Sequence, residues 1–66
     1  MNDKIYAMKA KRTGSACNGR FKAPDIQDAT RQANEYLATL GENWNVTITE
    51  LKNQASAMKQ WNERNN

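Results

Sequence analysis

The sequence predicts an α+β domain in the order β-β-α-β-α, with a three-stranded sheet and a helix packed on one of its faces. Three observations carry this. Trp44 to Leu51, WNVTITEL, contains the clearest strand of the chain, with Trp44, Val46 and Ile48 on one side and Asn45, Thr47 and Thr49 on the other. Ile26, Ala29, Ala33, Tyr36, Leu37 and Leu40 recur at the three- and four-residue spacing of a helix. Two shorter alternating runs, KIYAMKAKR at 4–12 and RFKA at 20–23, precede that helix.

In the first run Tyr6, Met8 and Ala10 share one side while Lys9 and Lys11 share the other, as on a half-buried strand. The following TGSACNG is rich in Gly, Ser and Asn and reads as a seven-residue loop, so the first two strands form a hairpin whose register the sequence leaves open. Pro24 ends the pairing. Asp25 is a good N-cap, Asp28 adds an acid to the first turn, and Gly41 is placed to cap the other end. A helix between the second and third strands lets those two lie parallel in a right-handed βαβ unit, with the first strand extending the sheet. Asn53 to Arg64 reads as a second, more polar helix with Ala55, Met58 and Trp61 on a face, fraying into Asn65 and Asn66.

At 66 residues the chain is one domain, 1–66, with no room for a second core. A domain of that size buries only about 60% of its unfolded surface. Mean hydropathy is −1.02, so the core falls to the large residues Ile5, Tyr6, Met8, Phe21, Ile26, Tyr36, Leu37, Leu40, Trp44, Val46, Ile48, Leu51, Met58 and Trp61. Forming a homodimer is one way to bury more. The lone Cys17 allows no intramolecular disulfide and fits a reducing interior. MNDKIYAMKAKR lacks the apolar segment of a signal peptide, and no stretch approaches the roughly 18–20 apolar residues of a membrane span. The expectation is a soluble, cytoplasmic protein that does not engage membranes.

Charge is unevenly placed. Residues 1–22 hold Lys4, Lys9, Lys11, Arg12, Arg20 and Lys22 against Asp3, a net +5. Residues 23–66 hold four cations against six carboxylates, a net −2. Pleat parity gathers Lys9, Lys11, Arg20 and Lys22, with Asn45, Thr47 and Thr49, on the sheet face turned away from the first helix, with Ile5 and Ala7 at one end. These four cations are the candidate binding residues. Lysines on such positions also serve as a solvated guard against edge aggregation, so the cluster fits a solvated face, a dock for an acidic protein patch, or a grip on phosphate backbones. Sheet-type RNA readers stack bases on exposed aromatics, which this face lacks. Met58 and Trp61 fit either packing or an intermolecular contact.

Chemistry is sparsely equipped. Histidine is absent and cysteine occurs once, so no zinc set or His-based acid–base pair can be assembled. Gly14-Ser15 and Asn18-Gly19 match no phosphate-binding motif and read as turns, and Asp25 with Asp28 reads as capping. No catalytic residue, metal or cofactor is expected. In size, in lacking a catalytic set and in the strand-strand-helix-strand layout of residues 4–51, the chain resembles the short accessory proteins of phages and plasmids, such as anti-restriction and anti-CRISPR inhibitors. That resemblance implies a non-catalytic interaction protein that docks on a larger host protein or nucleic-acid-processing complex. The alternative is a small nucleic-acid-binding protein working through the basic face.

Overall fold

A computed structural model describes residues 3–64, so the expected fraying at Asn65 and Asn66 lies outside the described residues. The order is β1 (Lys4–Arg12), β2 (Ser15–Ala23), α1 (Ile26–Ala38), β3 (Asn45–Glu50) and α2 (Gln54–Arg64), an α+β domain with a three-stranded antiparallel sheet. No described helix is long and apolar enough to cross a membrane.

The hairpin is tighter than the sequence led us to expect. β1 and β2 pair from Lys4↔Ala23 to Arg12↔Ser15, leaving only Thr13-Gly14 as the turn. Gly14 takes φ +78°, a conformation that costs a residue without a Cβ little. The rest of TGSACNG is strand, and Asn18-Gly19 opposes Lys9 and Met8 instead of turning.

Strand order also differs. The order is β2-β1-β3, with Met8 opposite Ile48 and Lys9 opposite Thr47. β2 and β3 do run parallel to each other, but β1 lies between them instead of extending the sheet from one side. Burial accounts for this. Tyr6, Met8 and Ala10 of β1 are all buried, whereas β2 and β3 carry Ser, Asn, Gly and Thr positions that suit edges.

α1 lies on the face made by Tyr6, Met8, Ala10, Cys17, Phe21, Ala23, Val46 and Ile48, and meets it through Ala29, Ala33 and Leu37. The helix interface is therefore built from alanines, which let helix and sheet approach closely. Ile26, Tyr36 and Leu40, expected in the core, remain 50%, 46% and 44% exposed. Asp25 caps α1 as expected, accepting from the Asp28 N–H at 2.8 Å. At the other end the cap is Thr39, not Gly41: its N–H and hydroxyl both donate to the Tyr36 carbonyl. Gly41, at φ +134°, serves a different contact, because a Cβ there would collide with the Arg12 guanidinium. That guanidinium donates to the Leu40 and Glu42 carbonyls and sits 4.6 Å from the Trp44 ring centroid, fastening the end of β1 to the loop after α1.

α2 occupies the opposite face. Pleat parity turns Ile5 away from α1, yet Ile5 is fully buried, and Ala57 is buried above it. Asn53 caps α2 by accepting from the Ser56 N–H at 3.0 Å. Where β3 leaves the sheet, the Gln54 amide replaces it: Oε1 accepts from the Ile5 N–H at 2.8 Å, and Nε2 donates to the Ile5 and Leu51 carbonyls at 2.9 and 2.8 Å. Gln54, Ala57, Met58 and Trp61 share the sheet side, while Ala55, expected there, is exposed.

Urea unfolding tests both helix contacts with the sheet. Ala33→Leu overfills the helix–sheet interface and lowers stability by about 1–3 kcal/mol, whereas Ile26→Gln changes it by no more than about 0.5 kcal/mol. Gln54→Ala leaves the Ile5 N–H without its partner and costs roughly 1–3 kcal/mol; Gln54→Met, which restores volume without the amide, recovers little of it.

Candidate functional site

The face opposite α1 is a short grid whose rows are set by register. Lys22 lies beside Ile5, then Arg20, Ala7 and Thr49 form a row, then Asn18, Lys9 and Thr47, then Ala16, Lys11 and Asn45. All four candidate cations therefore share one face, as parity required. The structure divides that face into two zones. α2 covers the Ile5 end, leaving Lys22 half-buried there, and the end holding Lys9, Lys11, Ala16, Asn18, Asn45 and Thr47 is exposed.

Arg20 stands at the boundary. Its Nη1 donates to Gln60 Oε1 of α2 at 2.8 Å, above a groove of about 170 Å³ lined by Arg20, Leu51, Ser56, Ala57 and Gln60. Arg64, from the last turn of α2, meets Asn18, Gly19 and Arg20 around a second concavity of about 250 Å³. Asn18 and Arg64 thus join the site although sequence reading assigned neither to it. Extending the β2 pleat two residues back from Arg20 would have found Asn18; Arg64 becomes visible only once α2 is docked.

None of the strand residues on this face is acidic. The ion pairs formed among the described residues lie elsewhere: Lys4 with Glu50, and Arg31 with Asp28 and Glu35. Lys9, Lys11, Arg20 and Lys22 consequently add their fields without an adjacent carboxylate to cancel them.

β2, which carries two of these cations, packs under α1 and is also hydrogen-bonded to it through the Gln32 side chain. Gln32 Nε2 donates to the Lys22 carbonyl at 3.2 Å and to Asp28 Oδ2 at 3.0 Å. Arg31 holds the other Asp28 oxygen at 2.7 Å. Hydrogen bonds from Arg31 first, and then Gln32, hold the Asp28 carboxyl below its ordinary value, and the same contact raises Arg31.

Met58 and Trp61, the other candidates, lie half-buried on the sheet-facing side of α2. Cys17 is not a loop thiol. It lies in β2 opposite Ala10 and packs beside the α1-facing core. Among the described residues no three His, Cys, Asp or Glu side chains gather to hold a metal ion. A cleft of about 360 Å³ lies on the other side of the sheet between α1 and Trp44, lined by Asn34, Leu37, Ala38, Gly41, Trp44 and Val46. Glu42 is the one ionisable group on its lining.

No family model matches the chain, and no curated protein or solved structure matches it.

A carboxyl whose folded-state pKa is lowered stabilises the fold while ionised, so the Asp28 contribution is complete above its ordinary value of 3.8 and is lost as the pH falls below it. Thermal melts between neutral pH and about pH 2 test this. The acid-induced loss of Tm is smaller in Asp28→Asn than in the unaltered protein, and the two curves approach each other at the acid end.

Proposed function

We propose that the protein acts by binding, and that the open end of its sheet holds the phosphate backbone of a nucleic acid. One observation carries this reading: an exposed sheet face that offers cations and hydrogen-bonding side chains, has no acidic strand residue and presents no aromatic or large aliphatic anchor outside the part α2 covers. A protein interface draws its affinity from buried aromatic and apolar anchors, which this surface lacks. A phosphate backbone is gripped by Lys and Arg with Asn, Ser and Thr beside them, and these are what the surface supplies.

A second reading is favoured by a separate feature. On the α1 side of β2, Phe21 and Tyr36 meet edge to face with centroids 6.3 Å apart, and Tyr36 near the end of α1 and Leu40 just past it are both exposed. Such a patch suits a protein partner. On this reading the chain docks on a larger protein, the behaviour implied by its resemblance to inhibitors carried by mobile elements.

Fluorescence anisotropy with labelled DNA and RNA at roughly 50 and 200 mM salt separates the two. Backbone binding predicts affinity that falls at least about tenfold between those concentrations. It also predicts loss of that affinity in a folded variant with Lys9, Lys11, Arg20 and Lys22 all changed to Gln. Absence of binding at either salt, or binding untouched by the four substitutions, overturns the first reading. Partner capture abolished by Tyr36→Lys with Leu40→Lys supports the second.

A further inference from the structure

Resting on the nucleic-acid reading, we infer that the ligand is B-form duplex DNA and that the open end of the sheet enters its major groove. The middle strand presents two long side chains, Lys9 and Lys11, and the flanking strands present short ones, Asn18 and Ala16 on β2 and Thr47 and Asn45 on β3. The surface is therefore a ridge along β1 that falls away on both sides. The two outer strands lie two strand spacings apart, about 10 Å. The major groove of B-DNA is about 12 Å wide and about 8.5 Å deep and admits elements as broad as a two-stranded ribbon, so the crest of Lys9 and Lys11 along β1 enters it toward the floor while the short side chains of β2 and β3 meet base edges nearer its walls.

The side-chain chemistry matches what that floor displays. Lysine donates to the O6 and N7 acceptors of guanine, asparagine pairs with N6 and N7 of adenine, and the threonine methyl packs against that of thymine. Lys9, Lys11, Asn18, Asn45 and Thr47 form a continuous exposed set of these types. Arg20 and Arg64 stand together at the α2 side of the same face, placed to meet the phosphates that border the groove.

The competing nucleic acids fit less well. The major groove of A-form RNA is too deep and narrow for side chains to read. Single strands are held by aromatic side chains on which bases stack, and no strand residue on this face is aromatic.

The test uses the intact chain and labelled random-sequence probes of about 20 base pairs, roughly two helical turns. Compared at one salt concentration are duplex DNA, duplex RNA and the single strands. Duplex DNA is expected to bind at least about tenfold more tightly than the others, a difference on the scale of one or two base contacts. Methyl green, which occupies the major groove, displaces the protein, and the minor-groove ligand netropsin does not. A folded variant with Asn18, Asn45 and Thr47 changed to Ala loses the sequence preference seen when random duplexes are selected, but keeps the salt dependence of the unaltered protein. Equal affinity for DNA and RNA duplexes, a preference for single strands, or displacement by netropsin overturns the groove assignment while leaving nucleic-acid binding in place. Failure to bind any of the probes overturns both.

Discussion

β1 is hydrogen-bonded to a neighbouring strand along both of its edges, and that central position determines what the rest of the chain does. A strand in the middle of a sheet must satisfy two faces at once. Its even residues, Tyr6, Met8 and Ala10, are buried under α1, and Ile5, of opposite parity, is buried under α2. Of the remaining odd residues Ala7 is half-buried beside Arg20, and Lys9 and Lys11 are exposed at the centre of an open surface. A one-residue slip in register would exchange these sets, burying two lysines and exposing Met8, which is why the pairing is strongly specified.

The same constraint explains how two small helices suffice for a chain of such low hydropathy. α1 covers one face through alanines and Leu37, and needs few large residues because it lies close to the sheet. α2 covers only the end of the other face, where β3 has already left and the Gln54 amide takes over its hydrogen bonds. Partial cover is what divides a polar sheet face into a buried corner and an exposed platform. Arg20, joined to Gln60, and Arg64, at the end of α2, mark the border between them.

Much of this was legible in the sequence, and the rest was not for physical reasons. Period two within 44–51, the helical stripe from Ile26 to Leu40 and the Asp25 cap are local signals, and β3 and α1 formed inside those stretches, each ending short of the last residue read into it. The shared face of Lys9, Lys11, Arg20 and Lys22 followed from parity alone. Strand order was hidden because pairing between β1 and β3 is a long-range choice that no local pattern records. The hairpin was misjudged because Asn18-Gly19 has the composition of a turn, while the turn itself is made by Thr13-Gly14. Ile26, Tyr36 and Leu40 were assigned to the core for their size, yet the close helix–sheet approach selected Ala29 and Ala33. Ala57 in place of Ala55 was missed because a helix this polar has little apolar periodicity to read.

The most direct check on the account is residue-resolved amide hydrogen exchange in the folded protein. Antiparallel bonding alternates along a strand, so the N–H groups of Ala7, Lys9 and Lys11 point toward β3 while those of Asn18 and Arg20 point outward from the free edge of β2. With β1 in the centre, the Lys9 and Lys11 amides exchange slowly and those of Asn18 and Arg20 exchange fast. Rapid exchange at Lys9 and Lys11 would place β1 at an edge, and would remove both the central ridge and the binding surface derived from it.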